Sequence, residues 1–151
     1  MILIDTNAFV LLIVGLVDIN LISKHKRTST YSKEDYDKLT SIIKSYERLV
    51  VLPNVWTEVD NLLNRFSGKY KWEYIKRLKE IVSLSSEKYL KSTLGIHSEY
   101  FVELGLTDSL LLELGKDCDL LITADSSLAD ITRAYDIKVY DLVEEKNRSF
   151  R

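Results

Sequence analysis

Three short runs of the chain are almost wholly apolar: Ile2-Leu3-Ile4, Leu49-Val50-Val51-Leu52 and Leu120-Leu121-Ile122-Thr123. None alternates strictly with polar residues, which is the pattern of parallel strands covered on both faces. A fourth run, Ile137-Lys138-Val139-Tyr140, reads as an amphipathic strand. Between the strands the spacing predicts helices over 8–24, 33–48, 69–80, 86–104, 108–117 and 127–135. Ser32, followed three residues later by Asp35, has the form of a capping box. Pro53 stands at a helix start, and Val55, Val59, Leu62 and Phe66 then recur at helical spacing. Long helices alternating with short buried strands predict an α/β domain with a mostly parallel sheet of about four to five strands.

No Pro-, Gly- or Ser-rich linker interrupts the pattern, so residues 1–142 are expected to form one domain. His25 to Thr30 reads as a polar loop, and 143–151 as an exposed C-terminal tail. The run Ala8 to Val17 is the most apolar stretch, but its ten residues fall well short of the ~20 that span a bilayer. A buried first helix and a cytoplasmic protein without a membrane partner are the expectation. A dimer or other protein contact is a second use for so apolar a helix.

Composition narrows the chemistry. One cysteine, Cys118, excludes an internal disulfide, and two histidines, His25 and His97, leave little for a Cys/His zinc site. The formal charge is −2, so no general basic excess advertises nucleic acid. Lys24, His25, Lys26 and Arg27, or Lys69, Lys71, Lys76, Arg77 and Lys79, could still flank a polyanion, although a solvated helix face is the plainer reading of the second set.

The informative residues are acidic. Asp5 ends the first apolar strand and Asp125 ends another, in LLITADSSL. Each reads alone as a helix N-cap, yet each also stands at the carboxyl edge where open α/β sheets bind ligands. Asp108, in GLTDSLLLELG, follows Thr107, itself an N-cap candidate, and at about 100° per residue it shares a face with Leu111, Leu112 and Gly115. Glu58, in PNVWTEVDNLL, borders the stripe of Val55, Val59 and Leu62, whereas Asp60 points away as a plain solvated charge. If the four converge, each pair at ~4 Å costs about 4 kcal/mol at an effective dielectric of 20. Protons or a cation must then offset that repulsion, and an oxygen-only, histidine-free set suits Mg²⁺ or Mn²⁺.

In order and context, MILIDTN, PNVWTEV, GLTDSLLLELG and LLITAD resemble the acidic motifs of PIN domains, and the length resembles VapC-type toxin ribonucleases. The resemblance runs from Met1 to about Leu142. It implies a PIN-like α/β/α sandwich and a metal-dependent endoribonuclease in which Asp5, Glu58, Asp108 and Asp125 hold Mg²⁺ or Mn²⁺. Thr6, Asn7, Thr107, Thr123 and Ser126 would position water or phosphate. It further implies an RNA substrate cut to a 5′-phosphate and a 3′-hydroxyl by metal-activated water, an antitoxin protein and a homodimer. Many members carry another acidic residue soon after the last aspartate; here Ser126 and Ser127 follow, so Asp125 alone carries that motif. A PIN-fold interaction or RNA-binding module with weak catalysis is the rival. A receiver or phosphohydrolase ranks lower, since DTNAF lacks the second aspartate of a D-x-D motif.

Overall fold

Strand β1, Ile2–Ile4, is buried along its whole length and lies at the centre of a five-stranded sheet in the computed structural model, which describes residues 1–150. The remaining strands are β2 (Leu49–Val51), β3 (Ser86–Glu87), β4 (Leu120–Thr123) and β5 (Val139–Asp141). Their order is β3-β2-β1-β4-β5, and every pairing is parallel. The helices are α1 (Thr6–Val17), α2 (Lys33–Lys44), α3 (Pro53–Leu63), α4 (Gly68–Leu84), α5 (Ser92–Ile96), α6 (Phe101–Gly115), α7 (Ser126–Ala134) and α8 (Leu142–Arg148). Contacts group α1 with α2, α3 and α4, and α6 with α5 and α7. With right-handed crossovers the two groups cover opposite faces of the sheet, which gives the α/β sandwich its layers. From β1 the chain winds outward to β2 and β3, then returns to β4 and continues the other way. The order therefore reverses between β1 and β4, a switch point of the kind that opens a crevice beyond the strand ends.

Helix α1 is the core of this arrangement. All its residues from Ala8 to Gly15 are buried in this chain's own core, and Leu16 is half-buried. Gly15 lets the ring of Tyr36 on α2 lie against it; a Cβ there would meet that ring at 2.2 Å. The helix ends at Val17 rather than at 24, because the Asp18 carboxylate caps a separate 3₁₀ turn, Ile19–Leu21. No helix among the described residues is long and apolar enough to cross a membrane.

The capping box of Ser32 and Asp35 forms in full, and Pro53 occupies the first turn of α3. The stretch expected to be one helix over 86–104 is different. It contains the edge strand β3, the short α5 and the beginning of α6. A two-residue strand at an exposed edge carries no periodicity to read; its identity comes from the Val50–Ser86 and Val51–Glu87 pairings with β2. Residues 143–148, read as part of an exposed tail, belong to α8. Asp141 caps it by accepting from the Val143 and Glu144 amides, and Arg133 reaches Glu144 at 2.6 Å.

Candidate active site: a carboxylate cluster at the switch point

The chain leaves β1 at Asp5 and β4 at Asp125, the two strands on either side of the switch, and the Asp5 amide donates to the Ile122 carbonyl at 2.9 Å. Helix α3 leaves β2 at the same edge and carries Glu58, while α6 brings Asp108 from the opposite layer. Asp5, Glu58, Asp108 and Asp125 line one cavity of about 140 Å³, together with Thr6, Asn7 and Leu62.

Each carboxylate is held differently. Asp5 is buried and accepts from the Ala8 amide at 2.7 Å, from the Ala124 amide at 2.8 Å and from the Thr123 hydroxyl. Burial raises its pKa, and these three donors pull the other way. It is thus the N-cap of α1 and a cavity-lining acid at once. Asp125 likewise caps α7 through the Leu128 amide at 2.9 Å, while its own amide donates to Thr123 Oγ1. Glu58 takes the Thr6 hydroxyl on one oxygen, at 2.7 Å, and the Thr107 hydroxyl on the other. Asp108 has its pKa pushed up to about 7, first by burial and then by the charges of Asp5, Asp125 and Glu58, with no hydrogen bond to oppose them.

Thr107 is therefore no N-cap. Helix α6 begins earlier, at Phe101, and breaks its geometry at Gly105, whose φ of 77° and ψ of −176° suit glycine alone. Restarting beyond the kink, the helix turns Thr107 toward Glu58 and Asp108 into the cavity. Asp60, expected to be a free surface charge, accepts from the Tyr74 hydroxyl at 2.7 Å and ties α3 to α4. Of the expected supporting residues, Thr6 and Asn7 line the cavity, and Thr107 and Thr123 reach its acids through their hydroxyls. Ser126 is exposed at the start of α7 and does not line it.

Two neighbouring clefts extend the cavity, and both share Glu58 and Thr107. One, of about 340 Å³, adds Pro53, Asn54 and Thr57; the other, of about 450 Å³, also shares Asp108 with the cavity and adds Leu104, Gly105 and Leu106. Asn54 and Thr57 went unnoticed in the sequence, although Asn54 precedes Glu58 by four residues and so shares its helix face.

The donor set fits a hard divalent cation. It is all oxygen and carboxylate-rich, neither histidine lines it, and the mutual repulsion felt by Asp108 is what such an ion would offset. Among the described residues no three His, Cys, Asp or Glu side chains are grouped closely enough to hold an ion, and threonine hydroxyls donate to two of the acids. The sequence matches no protein-family model and no curated protein.

Proposed function

We propose that this protein is a metal-dependent endoribonuclease of the PIN type, using Mg²⁺ or Mn²⁺ at Asp5, Glu58, Asp108 and Asp125. The observation that carries the reading is the meeting of four acids from four separate elements in one cavity at the sheet's switch point. Their order along the chain is that of the PIN motifs. When bound, the divalent ion supplies positive charge that polarises water and phosphate oxygens for hydrolysis.

The chain's own residues provide placement. Three donors fix both oxygens of Asp5, more than reach any other of the four. Thr6 and Thr107 clamp Glu58 from two sides, so the carboxylate faces the cavity from α3. Asp108, pushed up to about 7 by burial and by the charges of Asp5, Asp125 and Glu58, is an acid whose charge an arriving cation would favour. The clefts on either side of Glu58 give a strand two ways past the acids.

The test is cleavage of single-stranded RNA with Mn²⁺ or Mg²⁺. The parent should cut it, EDTA should stop it, and Asp108→Asn should abolish it while leaving the circular dichroism spectrum unchanged. A variant that cut as fast as the parent would remove the site assignment.

The open arrangement of the acids favours one rival, an interaction module of the same fold with weak catalysis. Calorimetric Mn²⁺ binding in the millimolar range or tighter, lost in Asp5→Asn, separates the nuclease from the scaffold. The nuclease reading carries with it a cytoplasmic place of action, a homodimer and an antitoxin encoded beside this chain. Size-exclusion chromatography, with and without the neighbouring frame's product, checks the assembly.

A further inference from the structure

Trp72 leaves 74 % of its surface in water, although tryptophan ordinarily buries most of its own. It stands on α4, and at about 100° per residue Lys69, Lys76 and Lys79 fall within about 60° of it on the same face. All three lysines are exposed. The helix holds two acidic residues, Glu73 and Glu80, and both lie against Arg77, at 3.7 and 3.2 Å. Neither glutamate pairs with a lysine of this face, and Lys69 Nζ lies 5.2 Å over the Tyr70 ring of its own helix, on a chain whose net charge is −2.

The turn that leads into α4 follows closely on a residue of the acidic cavity, near the end of α3. Leu62 lines that cavity, and Phe66, just beyond it, packs against His25 at 5.6 Å and Tyr74 at 5.7 Å between ring centroids. This ring cluster draws the loop carrying the exposed Lys26 and Arg27 against the beginning of α4. The loop is thus tied to α4 through the buried Tyr74 face, while the three lysines stand with Trp72 on the opposite, exposed face of the same helix.

Resting on the nuclease reading, we infer that this face of α4 is a binding platform for single-stranded RNA. Trp72 stacks on a base, and Lys69, Lys76 and Lys79 meet successive phosphates of the strand that leads into the cavity. Every base offers a π-face, so stacking of this kind tolerates sequence, and the three lysines span about 15 Å of helix, enough for several nucleotides. A protein partner would call for exposed apolar neighbours around the indole; the exposed long side chains in that arc are the lysines, and Ile75 at its margin is half-buried.

The test is binding of a labelled oligouridine in EDTA, read by anisotropy and by quenching of tryptophan fluorescence. Trp72→Ala should weaken binding roughly tenfold and remove the quenching. Trp56→Phe, at a ring packed edge-on against Phe9 at 4.8 Å, should leave the quenching in place. Each lysine changed to alanine should lower the slope of log K against log salt by about 0.7. Unchanged affinity in the Trp72 and lysine variants overturns the platform, as does a parent indifferent to oligouridine. Cleavage with Mn²⁺ is scored separately on the same proteins. RNA cut by the parent but bound equally by Trp72→Ala overturns the platform and spares the nuclease; RNA held through Trp72 but never cut does the reverse.

Discussion

Burial, and then the charges of Asp5, Asp125 and Glu58, give Asp108 a pKa of about 7 in the folded protein against 3.8 for the free side chain. The folded state therefore holds this proton more tightly than the unfolded chain. Its contribution to stability is full below the unfolded value and is lost as pH rises through about 7. The gap caps at roughly 4 kcal/mol, and solvent reaching a partly exposed carboxyl trims it to about 1–2 kcal/mol, a few degrees in Tm. In EDTA the parent should melt lower at about pH 8 than at about pH 5.5, and Asp108→Asn should flatten that slope. A slope that persists unchanged in the variant would mean that other groups set it. Thr123 gives a second residue-scale prediction. It is fully buried and donates to Asp5, so Thr123→Val keeps the shape but removes a bond that favours the ionised carboxylate. Calorimetry should show Mn²⁺ affinity falling about 10- to 100-fold with little change in fold. The four acids were legible in the sequence because strand ends and helix faces can be placed without coordinates. The hydroxyl pairs Thr6–Glu58 and Thr107–Glu58 were not, since they join residues about fifty positions apart.

At the scale of elements, Gly105 decides where Asp108 points. A Cβ at this position would meet nothing within 4 Å, so the requirement for glycine is conformational and lies in φ, not in crowding. Gly105→Ala should cost roughly 1–3 kcal/mol if the kink survives, and otherwise let α6 run straight and swing Thr107 away from Glu58. The expected result is a Tm loss of a few degrees with a far larger loss of Mn²⁺ binding. Equal Mn²⁺ affinity in the variant would show that the kink does not place the acid. The kink explains why the sequence reading began this helix at 108: periodicity ahead of the glycine runs in a different register from that behind it. Helices with a cap and a clean stripe, such as α2 and α3, were readable to within a few residues. Strand β3 was not, because a pairing partner and not its own two residues makes it a strand.

Across the whole molecule, the parallel sheet gathers four like charges at its switch point, and the buried α1 and β1 fix them there. The metal-free protein thus carries an electrostatic load that its core must outweigh, and a cation that binds the folded state alone should relieve it. By mass action, Mn²⁺ at a hundred times its Kd adds about 2.7 kcal/mol, or roughly 5–10 °C in Tm for a chain of this size. Asp108→Asn should gain stability in EDTA at about pH 8, because it removes one of the repelling charges, yet gain little more when Mn²⁺ is added. The two melting curves should therefore change order: the variant higher without metal, the parent higher with it. Differential scanning calorimetry of both proteins, in EDTA and in excess Mn²⁺, reads all four points. If Mn²⁺ raised parent and variant equally, the ion would be binding elsewhere, and the cavity would have no part in holding it.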